Sequence, residues 1–171
     1  MTTDASDLRT IADYQFGVGA GEALFPRSED AREADDLEAD ARPAEDQSAD
    51  RSVTRTSSGR PRQIHVSAGR VATYGTDGRF RLGLEGGRRL HGATDGYTVV
   101  VGDESDPYVR DGRNVFAKFV SRAETGIRPR DEVLVAHEDG DLLAVGRAEL
   151  SGAGMLDFET GVAVSVRESV E

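Results

Sequence analysis

Seven arginines, Arg60, Arg62, Arg70, Arg79, Arg81, Arg88 and Arg89, fall within thirty residues of a chain whose net charge is −11. A guanidinium is planar, permanently charged and shaped to grip phosphate oxygens in pairs, so such a run points to polyanion chemistry. The competing reading is that these side chains neutralise neighbouring carboxylates in surface ion pairs. Support for catalysis is thinner. His65, His91 and His137 are far apart in sequence, and none stands at a helical ligand spacing from another metal-binding residue. With no cysteine in the chain, disulfides and thiolate zinc sites are excluded. Gly17-Val18-Gly19-Ala20-Gly21 invites a phosphate-loop reading, but Glu22 stands where a dinucleotide fingerprint needs glycine, and the run follows a helical pattern instead of a strand. It reads as a chain reversal. Ser151, in Leu150-Ser151-Gly152, reads as a helix N-cap and not as a nucleophile. The expectation is a binding protein with no cofactor, no metal and no catalytic residue.

The elements that must carry these arginines follow from periodicity. Leu8, Ile11, Ala12 and Phe16 recur at helical spacing after Ser6, and a second short turn follows through Glu22–Phe25. Beyond residue 60 the period changes to two, with strands at 63–67, 70–74 and 80–84, and the segment 86–91 has room for one basic helical turn. From Gly96 the pattern runs strand 97–101, helix 104–111, strand 115–120, strands 132–137 and 142–149 around the Asp139-Gly140-Asp141 turn, helix 153–158 and strand 162–167. Short strands with two short helices in so few residues favour a closed or nearly closed β-barrel, which leaves no long free edges.

Charge is unevenly distributed. Residues 51–95 hold nine Arg against three acidic residues, whereas residues 27–50 hold three Arg against ten. The acidic stretch has Leu37 as its only large apolar residue, too little to offset its ordering entropy, and residues 27–55 are read as a disordered insertion, with local Ala/Glu helix around 29–41 as the alternative. Twenty of the 21 basic residues are Arg and one is Lys, and acidic residues number 32. That balance fits a protein kept hydrated in concentrated salt, hence a halophile; an Arg-favouring high-GC genome is the alternative. The opening Met1–Asp7 has neither a basic n-region nor an apolar h-region, and a cytoplasmic protein is expected.

Two segments resemble a known family. Residues 8–25, and residues 64–91 with Val71-Ala72-Thr73, Asp77-Gly78-Arg79-Phe80 and Leu84-Glu85-Gly86-Gly87-Arg88-Arg89-Leu90, look like the domain that precedes the PUA domain in archaeal tRNA-guanine transglycosylase and archaeosine synthase. Residues 112–120, the turn Arg128-Pro129-Arg130-Asp131-Glu132-Val133, and 143–148 through 161–164 resemble its PUA domain. The resemblance implies an α+β protein: a small α/β domain over 1–94, interrupted by the acidic insertion, then a PUA β-pseudo-barrel over 95–171. It implies binding of tRNA or another structured RNA as a non-catalytic accessory of tRNA modification in the archaeosine pathway, since the catalytic barrel and its zinc-binding domain have no counterpart here. The alternatives are a protein-docking subunit of a separate tRNA-modifying enzyme, or a factor for ribosomal RNA. Carried over, the contact surface is Gly112-Arg113-Asn114 with Lys118 on the following strand and Arg147 across the barrel, joined by Arg60, Arg62, Arg79, Arg88 and Arg89 of the first domain. Gly112 would let RNA approach the backbone closely, and the loop offers amide, guanidinium and carboxamide donors together.

Overall fold

The computed structural model describes residues 5–27, 51–94 and 97–171. The first unit opens with α1 (Ala5–Phe16) and α2 (Ala20–Leu24), then β1 (Arg51–Arg55), β2 (Pro61–Val66), β3 (Gly69–Tyr74), β4 (Phe80–Leu82) and α3 (Leu84–Leu90). The strands form an antiparallel meander in the order β1-β2-β3-β4. Leu8, Ala12 and Phe16, one face of α1, pack with Leu24, Phe25, Ile64, Val71, Phe80 and Leu82 in its core.

Most of the expected insertion, residues 28–50, lies outside the described residues. Its last five residues need correction: Arg51–Arg55 is a strand, paired antiparallel to β2 with Val53 opposite Ile64. The short sequence Arg-Ser-Val-Thr-Arg has one apolar side chain, but Val53 packs against the core, and the ladder with β2 supplies the order that sequence-local burial cannot.

The second unit contains β5 (Thr98–Val101), α4 (Asp106–Arg110), β6 (Val115–Phe116), β7 (Val120–Ala123), β8 (Glu132–His137), β9 (Leu142–Ala148), α5 (Gly152–Asp157) and β10 (Val162–Ser169). Its sheet runs β6-β10-β9-β8-β5-β7, antiparallel except for β5 beside β8. It is a nearly closed six-stranded pseudo-barrel. The single strand expected at 115–120 is in fact two strands with a 3-10 turn, Ala117–Phe119, between them. The physical reason is closure: β6 and β7 are the two outer strands of the sheet, and one straight strand cannot pair with β10 at one margin and β5 at the other. Lys118 therefore sits on a turn and not on a strand. Ser151 does cap α5, its hydroxyl accepting from Gly154 N at 3.0 Å.

The two units share packing. Leu134 and Val145 of the barrel belong to the first unit's core, and α3 lies against β9. Gly87 makes that approach possible, because a Cβ there would lie 2.3 Å from Val145 Cγ1, while Gly86 lets α3 lie close on β3 within the first unit, where a Cβ would be 2.1 Å from the Val71 carbonyl oxygen. The remaining edge of the meander, β4, is closed by side chains instead of by a strand. Phe80 N donates to Gln15 Oε1 (2.7 Å), Leu82 N to Glu132 Oε2 (2.9 Å) and Leu84 N to Glu168 Oε2 (2.7 Å). The outward carbonyls are met too, Phe80 O by Gln15 Nε2 at 2.8 Å and Leu82 O by Arg167 Nη1 at 3.2 Å. These bonds satisfy an edge that would otherwise be buried unpaired, and the barrel supplies Glu132 to β4 and Glu168 to the first residue of α3.

Candidate nucleic-acid interface

Beside that edge runs a groove of about 680 Å³, lined by Arg79 and Arg81 of the meander and by Arg130, Arg147 and Arg167 of the barrel, with Asp77, Glu132 and Glu149 as its acidic members. Five cations face three carboxylates, so the groove is locally basic within an acidic chain. Strand alternation explains part of the set: Arg79 and Arg81 bracket the buried Phe80, and Arg147 follows Gly146 between the buried Val145 and Ala148. Arg167 forks over Glu132 at 2.5 and 2.8 Å, which serves the domain junction. Arg79 pairs with Asp131 (2.9 Å), Arg81 with Asp77 (3.2 Å) and Arg147 with Glu149 (2.7 Å). Arg130 has no carboxylate within ion-pair distance among the described residues. A second groove continues past Arg79 to Arg128, Tyr97 and Tyr14, a residue that is 93% exposed.

Among the described residues two titrations are displaced. The Ser165 hydroxyl, and after it the Arg147 guanidinium, hold the Glu149 carboxyl below the ordinary glutamate range. Arg70, which pairs with Glu168 behind the groove, is lowered by burial and by the nearby Arg167.

At the far side of β10 lies the loop after α4. Gly112 adopts φ 77, and its N–H and that of Arg113 close the helix onto the Val109 and Tyr108 carbonyls at 2.9 Å each. The Arg113 guanidinium stands 5.7 Å from the Tyr108 ring centroid and 3.3 Å from Asp111. Asn114 Oδ1 accepts from Val166 N at 3.1 Å, and Val166 itself lines the arginine groove. Loop and groove therefore meet at β10.

The structure thus brings Arg79 and Arg147 into one groove and, of the loop 112–114, ties Asn114 to Val166 on its wall, with Arg113 turned to Tyr108 and Asp111. It places the other sequence candidates elsewhere. Lys118 lies 4.7 Å over the Phe119 ring, in a depression with Asp103, Glu104 and Glu138. Arg88 and Arg89 sit on α3 and pair with Glu85, and Arg89 also donates to the Leu24 carbonyl. Arg60 and Arg62 are exposed near the β1–β2 turn. Arg81, Arg128, Arg130 and Arg167 line these grooves without having been among the sequence candidates. Arg81 belonged to the basic run, but nothing in sequence brings the other three beside it, since they arrive from the barrel. The histidines are engaged locally: His65 with Gln63 (3.3 Å), His91 with the Gly140 carbonyl (2.6 Å), and His137 with Asp103 (3.0 Å) and Asp139 (3.3 Å). No group of three His, Cys, Asp or Glu that could hold a metal occurs among the described residues.

Residues 6–96 match the patch-forming domain C2 of tRNA-guanine transglycosylase, and residues 97–170 match the PUA domain. The chain is 41% identical over 167 residues to the tRNA-guanine(15) transglycosylase of Pyrococcus furiosus, covering 96% of this chain and 24% of that protein. With the enzyme of Methanothermobacter thermautotrophicus it shares 38% over 168 residues, covering 96% and 22%. It thus spans about a quarter of the length of the curated relatives it matches, and that quarter is their C-terminal part. Among solved structures, a hypothetical protein from Pyrococcus horikoshii superposes with a TM-score of 0.61 at 20% identity, over 99% of this chain and 91% of that one. A conserved PUA domain protein from Thermoplasma acidophilum gives 0.52 at 18%, over 63% and 68%. At these identities the structural likeness concerns the fold.

Proposed function

Since the chain belongs to the family of the patch-forming C2 domain of tRNA-guanine transglycosylase, here joined to a PUA domain, we propose that it binds structured RNA, and tRNA in particular, as a non-catalytic accessory of tRNA modification in the archaeosine pathway. The observation that carries the reading is the loop after α4. Gly112 exposes backbone at a left-handed turn, Arg113 lies against Tyr108, and Asn114 is fixed to β10, so stacking, charge and amide groups converge beside a basic groove. Such a surface suits an RNA whose bases stack on the Tyr–Arg pair while its backbone follows cations. The acidic, Lys-poor composition supports a setting of high salt, where counterion release weakens and stacking and hydrogen bonds carry more of the affinity. The test is tRNA affinity in molar potassium chloride. Wild type should bind, and Arg113→Glu should weaken binding about tenfold. Absence of binding by the wild-type chain overturns the reading.

A second reading, docking on a protein, is favoured by one observation. Phe116, Leu156 and Phe158 are each about half exposed, on β6, on α5 and just after α5, where α5 packs on the 3-10 turn. Pull-down of a tRNA-modifying enzyme that survives ribonuclease treatment and is lost on Phe158→Ser would promote it.

A further inference from the structure

We infer that the groove between the meander and the barrel is a phosphate-binding site in its own right, gripped by Arg130, and that it takes the phosphodiester backbone of an RNA whose stacked bases lie at the Tyr108–Arg113 loop. The source of the phosphate rests on the RNA-binding reading; the site does not. Three independent observations converge on it.

The first is conformational. Arg130 (φ 77) and Tyr97 (φ 64) are the only non-glycine residues among those described with left-handed backbone, and they line this groove and its continuation respectively. Glycine fills such positions without strain, and an L side chain there is held only where its surroundings over-determine it. Arg130 is over-determined. Its N–H donates to the Ala148 carbonyl at 2.8 Å, while Asp131 closes the preceding turn by accepting from Arg128 N at 2.9 Å and donating its own N–H to the Arg128 carbonyl at 3.0 Å. The fold thus holds an arginine where the backbone conformation favours glycine.

The second observation is electrostatic. Arg79, Arg81, Arg147 and Arg167 each hold a carboxylate, whereas Arg130 has none among the described residues. Its charge still reaches the site, where it is one of the influences that keep Glu149 ionised. An unpaired guanidinium beside ion-paired ones is the group an incoming phosphate meets at least cost, because no existing pair has to break. The third is continuity: Val166 lines the groove and donates to Asn114, so the loop and the groove that holds Arg147 and Arg130 adjoin along β10.

The test separates charge from structure. In Arg130→Gly the strain is removed along with the cation, so the thermal midpoint should hold or rise. Its affinity for a tRNA transcript should nevertheless fall about fivefold to tenfold, and the slope of log affinity against log salt should become shallower by about 1. Arg122→Gly, which removes an equal charge from β7 outside the groove, is the control. The groove has a second readout that needs no RNA: titration with inorganic tripolyphosphate should saturate and shift the guanidinium Nε resonances of Arg79, Arg130 and Arg147. Wild-type affinity for tRNA in Arg130→Gly, or no tripolyphosphate response at these arginines, overturns the proposal. Saturable tripolyphosphate binding in a chain that ignores tRNA would leave the groove standing and refute the RNA reading. Saturation by an acidic peptide with no response to tripolyphosphate would replace phosphate with a protein ligand and overturn it as well.

Discussion

Glu149 shows how much of the groove is decided by one carboxylate. It pins Arg147 at 2.7 Å while taking a hydrogen bond from Ser165, and these two contacts, Ser165 first, keep its pKa below the ordinary value. A lowered folded-state pKa means that the carboxylate's contribution to stability is fully present above the unfolded glutamate value and is lost as pH falls through the folded one. Between about pH 8 and about pH 5 Glu149 therefore stays ionised and Arg147 stays paired. Substitution does what pH in that range does not. Glu149→Gln should release Arg147, remove a repulsive charge and raise tRNA affinity about threefold, with little change in thermal midpoint because the pair is largely solvent-screened. Equilibrium titration of labelled tRNA reads this; an unchanged affinity would take Arg147 out of the contact surface. Of these groove side chains, the sequence names Arg79 and Arg147 as candidates and not Arg130, and the reason is physical. Identity and spacing reveal which arginines share a strand face, but a left-handed backbone at a non-glycine position leaves no mark in the residue type.

At the scale of elements, most of the secondary structure was legible. The apolar spacing of α1, the two-residue period of β2 and β3, the Asp-Gly turns and the Ser151 cap all carry local signals, and the structure places those elements within a residue or two of where the sequence puts them. What escaped is what depends on partners distant in sequence. The strand β1 exists through its ladder with β2, and the break between β6 and β7 exists because the barrel must close. Likewise, residues 86–91 read as a basic helical turn, yet Gly87 within it serves the seam between the two units. A helical glycine is ordinarily improved by alanine, by roughly 1 kcal/mol. Here the added Cβ would lie 2.3 Å from Val145 Cγ1, and overpacking of this kind costs about 1–3 kcal/mol, so Gly87→Ala should be destabilising. Combining it with Val145→Ala, which removes the opposing methyls, should recover part of the loss. Additive destabilisation in the double variant would show that the close approach is not the cause. The junction of β4 makes a companion case. Glu132 is buried and serves Leu82 N and Arg167 together, so Glu132→Ala should cost about 3 kcal/mol in denaturant unfolding, the low end for a broken buried pair because Arg167 is partly exposed.

The whole molecule couples a strongly negative chain to a local positive groove, and these two features act at different distances. Beyond a Debye length an approaching RNA senses the summed charge of −11, which repels it; within a few ångströms it meets the arginines between the meander and the barrel. Because the shared core and the side-chain seal of β4 tie the two units together, the arginines of both are held in one arrangement before RNA arrives. No search for the right domain orientation then slows the encounter, and electrostatics alone sets how its rate responds to salt. Added salt screens the long-range repulsion first, which speeds association, and also weakens the contacts inside the groove, which speeds dissociation. Stopped-flow measurement with labelled tRNA over rising potassium chloride should therefore show both rate constants increasing together, with affinity falling less steeply than five groove arginines alone would give. The usual behaviour of a basic RNA-binding surface is the reverse for association, which slows as its steering field is screened. An association rate that falls throughout the titration would mean that the groove's field, and not the chain's net charge, governs the approach.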